Sequence, residues 1–115
     1  MITTKKDFEK FKKSARHYID LLNLYDWSIC FEHKKIAGCY AKIYVDFGSK
    51  CARMIMSTTL SDRDADGFDP WEHGKHEVCE LLLMNLSSMS KSFYSNEHVE
   101  ECVHTVINRL IKALP

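Results

Sequence analysis

Apolar residues recur at three- and four-residue steps near the start of the chain. The recurring positions are Phe8, Phe11, Ala15, Tyr18, Ile19 and Leu22. Because residues at these steps share one face of an α-helix, the pattern predicts a first helix from about Thr4 to Leu24. Thr3 or Thr4 can cap its start. The opposite face is basic, but Asp7 and Glu9 interrupt it, so we interpret it as a solvated face.

Three segments in the middle of the chain alternate between apolar and polar residues. They cover residues 27–32, 39–47 and 52–56. A period of two, with aromatic and β-branched residues, predicts half-buried strands. The joining segments 34–38 and 48–50 are short and contain glycine. We therefore expect strands that follow one another in sequence to pair in antiparallel fashion.

Two further helices are predicted in the second half. Asp69 can cap the first of them, with Pro70 at the first helical position and Glu72 three residues after the cap, and the helix should run to about Ser90. The last helix should start near Ser95 or Asn96 and end before Pro115. Its apolar face comprises Val99, Cys102, Val103, Val106, Leu110 and Ile111. The predicted fold is α+β, with an N-terminal helix, a small three-stranded, mostly antiparallel sheet and two C-terminal helices, in one domain spanning residues 1–115.

Composition restricts the class of protein. The chain has 115 residues, of which 45% are hydrophobic and 28% charged, as in a globular protein. The formal net charge is zero, which disfavours general attraction to nucleic acid or to acidic membranes. No apolar run approaches the roughly 20 residues that span a bilayer. Residues 1–7 are polar and unlike a signal peptide, so we expect a cytoplasmic location.

The chain has five cysteines, an odd number, and no two have the spacing of a C-x-x-C pair. In a reducing compartment we expect them to be small buried apolar groups rather than a cysteine-rich zinc site.

The acidic segment 62–67 matches the first half of an EF-hand calcium loop. The second half does not match, because His73 takes the place of the bidentate glutamate and Pro70 falls inside the loop. A solvated turn leading into a helix is the simpler prediction.

The most informative motif is His76-Glu77-Val78-Cys79-Glu80, one residue away from the zinc-protease pattern His-Glu-x-x-His. Residues four apart share a helix face, so His76 and Glu80 can grip one metal ion. Zinc accepts imidazole nitrogen and carboxylate oxygen at about 2.0–2.2 Å. Glu77 lies about 100° around the helix, a direction that suits a general base. The alternative is an exposed His–Glu pair without metal, but the leucines at 81–83 indicate a buried helix, where charges need partners.

The element order and three segments resemble the minimal zincin-type metallopeptidases called minigluzincins, which are often phage-encoded and distantly similar to SprT-like proteases. These segments are residues 24–29, 76–84 and 101–110. The resemblance covers nearly the whole chain. The chemical signature lies in the middle segment, which departs from the family pattern at Glu80.

In that family a glutamate a few residues before a terminal Arg-Leu supplies the third zinc ligand. Laying residues 107–110 on that ending puts His104 at the ligand position. The resemblance therefore implies zinc held by His76, Glu80 and His104. Alternatives for the third ligand are His73 and His98. Glu101 is a further alternative ligand, or an acceptor that orients His104.

The resemblance also implies a function. We expect a small zinc-dependent metallopeptidase, in which Glu77 acts as general base on a zinc-activated water and an edge strand holds an extended peptide. Tyr44 or Arg53 would then lie near the cleft. The alternative is a catalytically inactive zincin-like binding protein, such as a phage-type factor that binds a host protein, with or without structural zinc. A nucleic-acid module built on the basic first helix is disfavoured by the zero net charge.

Overall fold

The structure is a computed structural model that describes residues 1–115. Its elements are α1 (Lys5–Leu21), β1 (Ser28–His33), β2 (Ala41–Asp46), β3 (Cys51–Met56), a short helix α2 (Asp62–Ala65), α3 (Pro70–Ser90) and α4 (Asn96–Ala113). An N-terminal helix, a three-stranded sheet and two long C-terminal helices confirm the predicted α+β class. The first helix ends three residues before the predicted Leu24. The acidic segment forms a helical turn, α2, at a place where a non-helical turn was expected.

The sheet is mixed, with the strand order β1-β3-β2. β3 pairs antiparallel with β2, as predicted, but it pairs parallel with β1. The expected antiparallel pairing of β1 with β2 is wrong. β3 is the most buried strand, with Met54, Ile55 and Met56 fully inaccessible to solvent. A central position covers both of its edges, whereas β1 and β2 tolerate an open edge because they are only partly buried.

All three long helices begin at the predicted caps. The Thr4 hydroxyl accepts a hydrogen bond from the Asp7 N–H at 3.1 Å, and the Asp7 carboxylate accepts one from the Thr4 N–H at 2.8 Å. Asp69 caps α3 by accepting from the Trp71 N–H at 3.0 Å. Ser95 caps α4. Caps of this kind satisfy N–H groups that have no partner inside the helix.

α1 and α3 cross at close range. A Cβ atom placed on Gly74 of α3 would lie 2.7 Å from the backbone oxygen of Phe11, a distance that real Cβ atoms do not reach. Beside this crossing the Ser14 hydroxyl donates to the Trp71 carbonyl at 2.5 Å. Phe11 is fully buried, and its ring lies edge-on to Phe31 of β1, with centroids 6.4 Å apart. The crossing therefore fixes α3 relative to α1 and the sheet.

A buried lysine ties α3 to the end of α4. Lys75 is only 4% exposed, and its Nζ donates to the carbonyls of Ile111 at 2.5 Å and Leu114 at 2.8 Å. The last carbonyls of a helix have no partner within it, so a cation that binds them stabilises the helix end. Lys75 thus holds α4 against the helix that carries the motif.

The expectation that the cysteines are buried is wrong for most of them. All five are free thiols, and only Cys79 is buried. Cys30 and Cys51 lie at exposed positions of the sheet. Cys102 is exposed as well, because the apolar stripe of α4 is wider than the surface that α3 covers.

None of the helices combines the length and the apolar character needed to cross a bilayer.

Candidate metal centre

Two helices bring His76, Glu80 and His104 together. His76 and Glu80 lie one turn apart on α3, and His104 comes from the facing side of α4. One donor atom from each residue lies within 4.8 Å of the other two. The rings of His76 and His104 have centroids 6.2 Å apart. The structure therefore assembles the three residues that the sequence analysis selected.

The donor set fits a zinc ion. Tetrahedral ligands at about 2.0–2.2 Å place their donor atoms about 3.4 Å from one another. The donor atoms of the three residues all lie within 4.8 Å of one another, a larger limit than that spacing. Two imidazoles and one carboxylate are also the ligand set of many catalytic zinc sites.

The environment of His76 favours the ligating form of its ring. Burial lowers the pKa of His76, the Glu80 carboxylate opposes this shift, and His104 adds to it. A neutral imidazole is the form that binds a metal ion, and no proton has to be displaced from it.

Glu77 lies beside this group and is almost completely buried, at 5% exposure. Burial raises the pKa of Glu77 well above its usual range, and the neighbouring Glu80 carboxylate adds to the rise by hydrogen bonding and by repulsion. Its Oε2 atom has no hydrogen-bond partner. An unpaired buried oxygen costs stability.

The group opens into a cleft of about 550 Å³ between α3, α4 and β2. Its lining includes His76, Glu77, Glu80 and His104, together with Ala41 and Ile43 of β2.

β2 forms an edge of the sheet, and its open side borders this cleft. The Ser57 N–H donates to the Tyr40 carbonyl at 2.8 Å, which identifies residues 40 and 57 as a hydrogen-bonded pair. Antiparallel pairs alternate, so the backbone groups of residues 41, 43 and 45 point away from β3 toward the open edge. These groups are available to an extended chain.

Of the two residues expected near the cleft, Tyr44 lines it and Arg53 does not. Arg53 is on the central strand and forms an ion pair with Glu32 at 3.3 Å. Its guanidinium also lies over the Tyr44 ring, 5.2 Å from the centroid.

The alternative ligands lie elsewhere. His73 stacks on Tyr40, with centroids 4.0 Å apart, and it is not part of the three-residue group. Burial lowers the pKa of His73 to about 4, and the charge of His76 adds to the effect. His98 lines a separate groove on α4. Glu101 is exposed and makes no hydrogen bond to His104, so the predicted orienting contact is absent.

Two cleft residues had no signal in the sequence. Cys39, two residues before β2, and Lys42 of β2 line the cleft. Burial raises the pKa of the Cys39 thiol, and the nearby Lys42 opposes the shift. Neither residue belongs to a motif, because their place in the cleft depends on how β2 lies against α3. That arrangement is a tertiary contact, which helical spacing cannot reveal.

Comparisons with protein-family models, with curated proteins and with solved structures found no match. The assignment of this site therefore depends on its own geometry and chemistry.

Proposed function

We propose that this protein is a small zinc-dependent metallopeptidase that acts in the cytoplasm. The observation that carries the proposal is the convergence of His76, Glu80 and His104 within 4.8 Å of one another, with Glu77 beside them in the same cleft. The proposal agrees with the resemblance of residues 76–84 and 101–110 to the minimal zincins.

In this proposal His76, Glu80 and His104 hold the zinc ion. The ion supplies a Lewis acid that makes a water molecule acidic and nucleophilic near neutral pH. Glu80 contributes the carboxylate of the set and places a negative charge beside Glu77. His104 is the one exposed ligand, and it enters from the other helix.

Glu77 moves the proton. Its carboxylate accepts a proton from the attacking water and then donates that proton to the leaving amine. Burial raises the pKa of this carboxyl well above its usual range. A cation held by His76, Glu80 and His104 would favour the ionised form of Glu77, because opposite charges at short range stabilise the charged form.

The substrate in this proposal is an extended peptide paired with the open edge of β2. The outward backbone groups of residues 41, 43 and 45 supply the ladder of hydrogen bonds, as in β-strand addition. Tyr44 borders the same cleft and contacts the bound chain there.

Metal content and cleavage test the two halves of the proposal separately. Zinc measured in untagged protein should be near one equivalent in the wild type and strongly reduced in His76→Ala, Glu80→Ala and His104→Ala. His98→Ala, on the same helix as His104 but outside the group, is the matched control and should keep its zinc. Full zinc in all three ligand variants contradicts the site.

Glu77→Gln tests catalysis, because the amide keeps the shape and loses the basicity. We expect zinc to be retained and cleavage of a peptide library to fall by about 10²–10⁴-fold. Equal cleavage by Glu77→Gln and wild type rules out Glu77 as the base.

A second candidate is a zincin-like binding protein without catalysis, with or without structural zinc. It is favoured by Glu80, which stands where the zinc-protease pattern has its second histidine. In that case the wild type cleaves no peptide, and Glu77→Gln leaves the effect of the protein on its binding partner unchanged.

A further inference from the structure

The open edge of β2 carries a basic side chain that the fold leaves without a partner. The lysines and arginines that belong to the strands or line the metal-centre cleft are Lys42, Arg53 and Lys91. Arg53 pairs with Glu32 at 3.3 Å, and Lys91 pairs with Glu100 at 3.6 Å. Lys42 is exposed and forms no ion pair. Its ammonium group is therefore free to bind an incoming negative charge.

The other charged residue of β2 is already used within the fold. The Asp46 carboxylate accepts hydrogen bonds from the Gly48 N–H at 2.9 Å and from the Ser49 N–H at 3.4 Å. These bonds hold Asp46 in the turn between β2 and β3. Lys42 is thus the charge that β2 offers to an added strand.

The register of the sheet places Lys42 where an added strand comes closest. Residues 41, 43 and 45 direct their backbone groups to the open edge, so an antiparallel chain forms its hydrogen-bonded pairs at those positions. Lys42 then faces its partner in a non-hydrogen-bonded pair, in which the two Cα atoms are about 4.5 Å apart. Opposite charges in directly opposed pairs attract and like charges repel. This position therefore favours an acidic side chain and disfavours a basic one.

The neighbours of that acidic residue point to the other face of the added strand, because side chains alternate along a strand. On that face Ala41 and Ile43 of β2 pack against the core. The apolar side chains of the cleft beside them are Met84, Val99 and Val103. Apolar neighbours fit this lining, since a polar group buried there would need a partner. A shift of one residue would turn every side chain to the opposite face, so charge and apolar pattern together fix the register.

The charge of Lys42 also acts inside the metal-centre cleft. Burial raises the pKa of the Cys39 thiol, and the Lys42 ammonium opposes that rise. Both residues line the cleft that contains His76, Glu80 and His104. A chain paired with Lys42 therefore passes the candidate metal centre.

We propose that the β2 edge selects extended peptides in which an acidic residue between two apolar residues pairs with Lys42. The inference rests on the proposed function for the use of the site and adds the class of peptide that the site takes. Lys42 determines specificity in this proposal and takes no part in metal binding or proton transfer.

Peptide binding tests the inference separately from catalysis. The probes are two end-blocked fluorescent peptides, Ala-Thr-Leu-X-Leu-Thr-Ala, in which X is Glu or Lys. Zinc-loaded Glu77→Gln protein is titrated at low salt, so that the peptides stay intact, and fluorescence anisotropy gives the dissociation constants. Attraction and repulsion at one cross-strand pair each change affinity by about 2–5-fold, so the Glu peptide should bind on the order of 10-fold more tightly than the Lys peptide.

Substitutions of Lys42 in the same Glu77→Gln protein identify the source of the preference. Lys42→Glu should reverse the preference, which only a folded protein can do, and Lys42→Gln should remove it. Lys35→Glu is the matched control, because Lys35 is exposed, forms no ion pair and lies outside the cleft. It should retain the preference for the Glu peptide. Added salt should weaken the preference, since the pair is exposed to solvent.

Equal dissociation constants for the two peptides overturn the inference, and so does a preference for Glu that persists in Lys42→Glu. Failure of both peptides to bind at about 1 mM overturns it as well. Cleavage of the same peptides by zinc-loaded wild type, followed by mass spectrometry, tests the proposed function. Binding with the Glu preference but without cleavage supports the acidic-peptide edge and contradicts the peptidase. Cleavage without a charge preference supports the peptidase and contradicts the role of Lys42.

Discussion

The two helices that meet at the candidate metal centre are held by the fold to different degrees. The middle of α3 is enclosed, with Gly74, Lys75, Glu77, Val78, Cys79 and Leu81 all buried. α4 buries only Val99 and Ile107, and α3 is its main neighbour. Two of the candidate ligands therefore lie on a well-buried helix, and the third lies on a helix with few buried residues. The difference predicts that changes to α3 affect the whole fold, whereas changes to α4 affect mainly the site.

Gly74→Ala should have the largest effect, because it forces α1 and α3 apart. The new Cβ would meet the Phe11 backbone oxygen at 2.7 Å and Ser14 at 2.9 Å. We expect a loss of about 3 kcal/mol in the free energy of unfolding, typical of overpacking a close helix crossing. Urea denaturation measures it. Gly48→Ala, where the nearest atom is the Asp46 carboxylate oxygen at 3.3 Å, is the control and should lose far less. Equal losses of stability in Gly74→Ala and Gly48→Ala contradict the close approach of α1 and α3 at Gly74.

Lys75→Met should have the second largest effect on stability, because it removes the hydrogen bonds that join α3 to the end of α4. The two carbonyls at the end of α4 lose their hydrogen bonds to Nζ. We expect a loss of about 2 kcal/mol in stability, together with weaker zinc binding as α4 loosens. Chemical denaturation and zinc titration measure the two effects. Lys112→Met, on the exposed side of the last turn, should change neither. A Lys75→Met protein with wild-type zinc affinity shows that α4 needs no clamp.

Protonation of His73, a residue of α3, should have the third largest effect. It should lower the folding stability at acidic pH. Its pKa is lowered to about 4 in the fold and is about 6.5 in the unfolded chain. The unfolded state therefore binds a proton first. The contribution of His73 is complete above pH 6.5, declines as pH falls below that value and is lost near pH 4. After allowance for solvent screening of this partly exposed ring, the loss is on the order of 1 kcal/mol.

His73→Phe keeps the aromatic stack on Tyr40 and removes the titration. Its stability, measured in zinc-free protein, should vary less between pH 6.5 and 4 than that of the wild type. His98→Phe, at an exposed position, is the control and should retain the wild-type pH dependence. Parallel stability curves for His73→Phe and wild type contradict the assignment.

His104→Ala should have the smallest effect on stability. The side chain is exposed and makes no hydrogen bond within the fold, so we expect a change within about 0.5 kcal/mol in zinc-free protein. Zinc binding should nevertheless be lost. Thermal unfolding with and without zinc separates the two: zinc should raise the melting temperature of the wild type and leave that of His104→Ala unchanged. A large destabilisation of the zinc-free variant means that His104 has a structural role.

Local signals in the sequence predicted the helices well. Thr4, Asp69 and Ser95 are recognisable because a cap is a contact between residues two or three apart. The alternation in β1, β2 and β3 was equally local, and it located all three strands. The pairing of β1 with β3 was not predictable in this way, because it depends on which strand gains most from the centre of the sheet.

The residues of the candidate site likewise separate into those that local sequence signals predict and those that only tertiary contacts define. The pair His76 and Glu80 follows from helical spacing alone. His104 came from the resemblance at the end of the chain, and the structure places it in the group. Lys75 carried no signal, because a lysine in a helix is ordinarily solvated and only the position of the α4 carbonyls makes it a clamp. The exposure of Cys102 was also not predictable, because the apolar pattern of α4 does not indicate how much of that face α3 covers.

Val99 and Val103 border both the metal-centre cleft and the groove between α3 and α4 that His98 lines. Because these two side chains line both cavities, a movement of either side chain changes the shape of both. A displacement of α4 at Val99 and Val103 therefore alters the walls of both cavities. Thermodynamic linkage requires that, if a ligand in one cavity changes the affinity of the other, the reverse effect has the same size.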